Sequence, residues 1–207
     1  MFFALIAVAQ MLTACSSVGV IAKKKPKYSP RVVQLGQPVP KGGGVYKIGN
    51  PYKIAGEWWT PKEDPSYDRR GIASWYGEEF HGRKTANGEV YDMYALSAAH
   101  PTMPLPSYAE VTNMRNGRRV VVRVNDRGPY KHNRIIDLSK KVAQLLDVYR
   151  QGTAPVRVRY IGKAPLNGND SYEHRILAQQ PWFRRPYALG GPIVRFNREP
   201  IQRQAYR

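Results

Sequence analysis

Cysteine is almost absent: Cys15 is the only one in 207 residues, so an internal disulfide framework and a cysteine-based metal cluster are both excluded. The four histidines, His81, His100, His132 and His174, lack paired ligand spacing, which argues against a metal enzyme. There is no phosphate-cradling glycine loop of Walker type, and nothing in the sequence calls for a cofactor. Acidic residues are scarce, 15 against 33 Lys and Arg, for a formal net charge of +18. That charge is spread along the chain and no segment is a dedicated basic arm. It suits a protein working near an extended polyanion, with nucleic acid, an anionic membrane and an acidic wall polymer all admissible on charge alone.

Long apolar runs are also missing. Residues 1–14 carry no charge, but the apolar stretch Phe2–Ala9 is too short to span a bilayer as a mature helix and reads as a signal peptide. Its lack of a positive n-region suggests a true start upstream. Leu12-Thr13-Ala14-Cys15 looks like a bacterial lipobox. In such signals the thiol is diacylated, the peptide is cut before the cysteine and the new amine is acylated, and several acyl chains anchor stably where one would not. The expected partner is therefore a membrane, reached through lipid on Cys15, with the chain on its periplasmic face. Ser16, where inner-membrane retention would favour Asp, points to the outer membrane. A location outside the cytosol removes nucleic acid from the expected partners.

The expected organisation is a signal peptide at 1–14, a lipidated cysteine and flexible tether at 15–56, an N-terminal strap at 57–70, a compact domain at 71–162 and a disordered basic tail at 163–207. Lys, Pro and Gly with few apolar residues define the tether. Within 71–162, strand patterns fall at 71–76, 94–98, 109–114, 118–124, 134–137 and 156–161. Arg115-Asn116-Gly117-Arg118 predicts a type I′ hairpin turn, and Ser139 caps a helix reaching about Leu146. Short strands separated by turns predict a mainly β fold, a small closed six-stranded barrel with one or two short helices between extended tails.

Two segments carry chemistry. Val120, Val122 and Val124 share one face of a strand that Gly128-Pro129 stops, so Asp126 continues that face at the rim, ordered yet reachable. The stretch from Gly71 through Trp75-Tyr76-Gly77 and Phe80-His81-Gly82 to Thr85-Ala86-Asn87-Gly88-Glu89 reads as strand plus binding loop. Trp75 and Tyr76 offer flat faces for sugar rings, and Thr85, Asn87 and Glu89 offer hydrogen bonds to hydroxyls.

Ala73-Ser74-Trp75-Tyr76-Gly77, Phe80-His81-Gly82, Thr85-Ala86-Asn87-Gly88-Glu89, Ala98-Ala99-His100 with Pro104-Leu105-Pro106, Asn125-Asp126-Arg127-Gly128-Pro129 and Arg134-Ile135-Ile136-Asp137-Leu138-Ser139 occur in order. Over roughly residues 45–162 the chain closely resembles the rare lipoprotein A family. The resemblance implies a double-psi β-barrel and lytic transglycosylase activity on peptidoglycan glycan strands. It implies Asp126, Glu89 and His100 as the catalytic set, and Trp75, Tyr76, Phe80, His81, Thr85, Asn87, Asn125 and Arg127 as substrate-binding residues. Asp126 would act as general acid and then general base, with Glu89 and His100 orienting substrate or stabilising charge. A general acid needs a raised pKa, so Arg127 is expected to turn away toward a carbonyl or Asp137, leaving desolvation and Glu89 to lift Asp126.

Two departures stand out. Many relatives carry a C-terminal module for stem-peptide-free glycan at the septum; residues 163–207 are too few and irregular for it, so septal targeting and division-site partners do not follow from the resemblance. Asn133 stands where Gly is more usual, a position Asn can still serve in the left-handed region. The rival reading is an expansin-like wall-binding or wall-loosening protein with the same groove and no bond cleavage.

Overall fold

The computed structural model describes residues 29–54, 56–131 and 133–184; the leader, Cys15, His132 and the segment after Arg184 lie outside them. β1 (Tyr52–Ile54) and β2 (Glu57–Trp59) form a short antiparallel hairpin. The barrel strands are β3 (Asp68–Trp75), β4 (Ser97–Ala99), β5 (Ser107–Asn113), β6 (Arg119–Asp126), β7 (Arg134–Leu138) and β8 (Ala154–Lys163). They close in the order β3-β7-β4-β6-β5-β8, which leaves no unpaired edge. The β3/β7 and β4/β6 pairs are parallel and the rest antiparallel. This mixed six-stranded closure is that of a double-psi β-barrel. Each parallel ladder carries an irregularity, and the one between Ala98 and Ala99 leaves Asn125 as the extra residue, directly before Asp126. Such irregularities re-aim side chains at a barrel rim.

Val120, Val122 and Val124 point inward with Val111, Ile136, Leu138, Val156 and Val158, as strand alternation requires. The outer face of β6 departs from the half-buried strand expected, because Val121, Arg123 and Asn125 are buried as well. Their cover is α2 (Ser171–Ala178), which packs on β6 with Tyr172 and Ile176 against Tyr108, Val121 and Ala164. The stretch 163–184, expected as part of a disordered tail, thus belongs to the fold. Trp182 of α3 (Pro181–Arg184) lies against the core with the Arg118 guanidinium 5.4 Å from its ring. Tyr172, Ile176 and Leu177 have helical spacing, but two turns are too short to register as a periodic signal.

Residues 29–54, expected as a tether, also lie on the barrel. Val32 N and Val33 N donate to Gly82 O at 2.7 and 3.0 Å, Val45 N donates to Asn87 O at 2.9 Å, and Lys47 exchanges both backbone bonds with Leu105. Backbone bonding needs no apolar side chains, so composition gave no sign of it.

α1 (Lys140–Leu145) is capped as expected, Ser139 Oγ accepting from Val142 N at 3.2 Å. The β5–β6 hairpin forms without a two-residue type I′ turn. Asn113 N still bonds Arg118 O at 2.9 Å, and of the four residues between them only Gly117 has positive φ, +70°. Asn113 Oδ1 takes Arg115 N and Asn116 Nδ2 reaches Leu146 O, so side-chain bonds fix a longer loop. The strand expected at 94–98 shrinks to β4 because Asp92 turns the chain, accepting Tyr94 N on Oδ1 and Ala95 N on its carbonyl. Asn133 does adopt the left-handed region, at φ 65°.

Candidate active site

Asp126 ends β6 opposite Ala99, which is itself opposite Asp137 on β7. Its main-chain oxygen accepts His100 N at 3.0 Å, and its side chain is only partly exposed at the rim. Ala86 N and Arg127 N both donate to Oδ1, each at 2.8 Å, so Oδ2 is the oxygen left to carry a proton. Burial pushes the carboxyl up to about 6, against the pull of those two amides and of the Arg127 and Lys47 charges. Proton donation near neutral pH is therefore within its reach.

Arg127 turns its guanidinium toward main-chain carbonyls, as expected from the sequence. Its guanidinium donates to the carbonyls of Met103 (2.6 Å), His100 (3.3 Å) and Ile48 (2.6 Å). It does not pair with Asp137, whose Oδ1 accepts from Ser74 Oγ and whose Oδ2 lies 3.5 Å from Arg134.

Glu89 is not what lifts Asp126. Its carboxylate is 5% exposed and engaged on both oxygens: Oε1 accepts Asn87 Nδ2 (3.0 Å) and Arg123 Nη2 (2.6 Å), Oε2 accepts Arg123 Nε (3.0 Å) and Asn125 Nδ2 (3.0 Å). Burial works to raise its pKa, but these donors outweigh it and hold the carboxyl below its usual value. A fork of this kind stabilises the carboxylate and cancels most of its field.

His100 is 1% exposed and both ring nitrogens are taken. Nδ1 accepts Thr102 N and Met103 N at 3.1 and 3.0 Å, which leaves the proton on Nε2, 2.9 Å from Tyr67 Oη. Burial and the Arg127 charge depress the imidazole to about 3, so it is neutral and shapes the loop that grips Arg127.

The other residues expected to bind substrate turn mostly inward, since ring burial and turn satisfaction compete for the same groups. Trp75 packs on Tyr149 at 4.7 Å, Tyr76 stacks on Tyr91 at 4.2 Å, and Phe80 meets Tyr76 edge-on. Buried His81 accepts Met93 N on Nδ1. Thr85 Oγ1 donates to Asn87 Oδ1 at 2.8 Å, which also receives Glu89 N at 3.3 Å. The polar side chains of Thr85 and Asn87 are thus spent on building the turn.

Two residues beside Asp126 escaped the sequence reading. Tyr130, 41% exposed, lies within reach of the Asp126 charge and meets Tyr52 edge-on at 6.1 Å. Lys47 donates to Ala86 O at 3.0 Å. Tyr130 directly follows the Gly128-Pro129 stop and was legible as a rim aromatic; Lys47 was hidden in a segment read as tether. A separate cavity of about 250 Å³ opens on the Arg123 side of Glu89, walled by Glu89, Arg123, Asn125, Asp170 and Glu173 but not by Asp126. Among the described residues no cluster of three His, Cys, Asp or Glu is placed to hold a metal.

Residues 68–158 match the family model described as lytic transglycolase. The chain is 57% identical over 111 residues to the endolytic peptidoglycan transglycosylase RlpA of Neisseria meningitidis, covering 53% of this chain and 46% of that protein. It is 51% identical over 125 residues to the protein of the same name in Pseudomonas aeruginosa (60% and 36%) and 47% identical over 136 residues to that of Campylobacter jejuni (65% and 50%). The chain thus spans half or less of the length of these relatives.

Proposed function

We propose that this protein, whose residues 68–158 match the lytic transglycolase family model, is an endolytic peptidoglycan lytic transglycosylase. The observation that carries the reading is Asp126: a rim carboxyl anchored through Oδ1, with Oδ2 left to carry a proton, and raised to about 6. One such group is sufficient for the chemistry. Protonated Asp126 donates to the glycosidic oxygen as the bond from muramyl C1 breaks and an oxocarbenium-like centre develops. The resulting carboxylate takes the proton of the muramyl 6-hydroxyl as O6 attacks C1, closing a 1,6-anhydro ring and restoring the acid. No water and no second carboxylate enter, unlike a hydrolase.

Tyr130 and Arg127 flank the acid, Tyr130 as the exposed aromatic face and Arg127 as the pin that holds the 100–103 loop. The proposal extends to a lipid anchor on Cys15, a place at the outer membrane, a preference for stem-peptide-poor glycan and a role in wall remodelling or division. These rest on the lipobox and the resemblance. No helix among the described residues is long and apolar enough to cross a membrane.

The test is mass spectrometry of material released from isolated sacculi, intact and amidase-stripped, by the mature protein and its Asp126→Asn variant. Release of 1,6-anhydromuramyl products by wild type alone is expected, more from stripped sacculi. Binding to sacculi with no such product from either substrate would refute the enzyme and leave an expansin-like wall binder.

A further inference from the structure

Glu89 lies in the motif that resemblance marks as catalytic, yet its carboxylate faces four donors and is closed to a substrate over Asp126. A continuous set of bonds runs from it to the acid. Arg123 and Asn125, adjacent outward positions of β6, clamp both carboxylate oxygens, and Arg123 Nη2 is itself fixed by Pro165 O at 2.8 Å. Glu89 in turn holds Asn87 Nδ2, and Asn87 Oδ1 gathers Thr85 Oγ1 and Glu89 N. Thr85 N to Glu89 O (2.8 Å) and Gly88 N to Thr85 O (3.0 Å) close the turn. At its apex the Ala86 amide points at Asp126 Oδ1, 2.8 Å away. The N-terminal segment seals the arrangement: a Cβ on Gly44 would stand 2.7 Å from Asn87 Nδ2 and 2.8 Å from Glu89 Cγ, so only glycine passes there.

We propose that Glu89 is a positioning residue: clamped to the outer face of β6 by Arg123 and Asn125, it holds the 85–89 turn so that the Ala86 amide stays on Asp126 Oδ1, and it exchanges no proton with substrate. The inference rests on the transglycosylase reading for its kinetic arm but not for its titration arm. The charges and titratable groups that act on Asp126 are Arg127, whose guanidinium itself points to the 48, 100 and 103 carbonyls, with Lys47, Tyr76, Tyr91 and Tyr130, and Glu89 is not among them.

Three variants separate positioning from proton transfer. Glu89→Gln keeps the shape and removes the charge. Asn87→Ala leaves the Glu89–Arg123 pair whole and cuts its link to the turn. Ala86→Pro deletes the donor itself; Ala86 and Asn87 have negative φ, so the turn is of type I, and proline suits its second position. Folding is checked by circular dichroism, and Asn87→Ala, which keeps the charge pair, carries the test if Glu89→Gln does not fold.

Expected are losses of about tenfold or more in anhydromuramyl product release for each variant, an upward move of roughly one unit in the Asp126 titration followed by carboxyl carbon NMR, and no additional loss when Asn87→Ala is combined with Ala86→Pro. The proposal is overturned if Glu89→Gln abolishes product while Asp126 titrates as in wild type, if Asn87→Ala behaves as wild type, or if the combined losses multiply. A wild type that releases no product refutes the transglycosylase reading, while the titrations still decide the positioning role.

Discussion

Replacing Asp126 by Asn is expected to stabilise the protein, and to do so only above a defined pH. The carboxyl moves from 3.8 to about 6 on folding, chiefly because burial disfavours the anion. Between those values the native state holds a proton that the unfolded chain has released, so wild-type stability falls as pH rises through the window. About two units at 1.36 kcal/mol each give about 3 kcal/mol, and the exposed side of the rim trims this to roughly 2 kcal/mol. Asn keeps the shape and an Oδ1 acceptor for Ala86 N and Arg127 N, so little else changes. Urea unfolding of both proteins at pH 4 and pH 7.5 should show near-equal stability at the lower pH and the full advantage of Asp126→Asn at the higher. An advantage of the same size at both pH values would refute the argument, since it would owe nothing to ionisation.

The same carboxyl sets the activity profile: product release should decline above about pH 6 as the acid form is lost, a limb read from initial rates over pH 5–8. His100, held neutral by two backbone donors and burial with a pKa of about 3, should show no imidazole titration by nitrogen NMR between pH 5 and 8. Arg123→Met should cost about 3–5 kcal/mol in chemical unfolding, because Glu89 is left buried and unpaired, and adding Glu89→Gln should restore part of the loss.

The barrel, α1 and the place of Asp126 were legible because valine alternation, a serine cap and a Gly-Pro stop are local signals. The turning away of Arg127 was legible too, because an acid that must hold its proton does not tolerate a facing cation. Glu89 misled for a related reason: a motif gives residue type, but whether a carboxylate faces solvent or an arginine fork depends on Arg123, thirty-four positions away. The aromatics misled likewise, since Trp75 and Tyr76 can serve a sugar or a core equally well and their partners, Tyr149 and Tyr91, arrive through topology. The flanks were missed because their order comes from backbone pairing and from a two-turn helix, neither of which leaves a compositional mark.

The N-terminal segment on the barrel has a practical side. A recombinant piece cut to the family-matched stretch, residues 68–158, would lack the Ile48 carbonyl that receives Arg127, the Lys47–Leu105 pairing, the Pro165 carbonyl that receives Arg123 and the last five residues of β8. Its guanidinium groups would be left short of acceptors beside the acid. A soluble, active piece is therefore expected to need both the segment that bonds the barrel from Val32 to Ile48 and the stretch through α3, and one trimmed to residues 68–158 should aggregate or refold without releasing product.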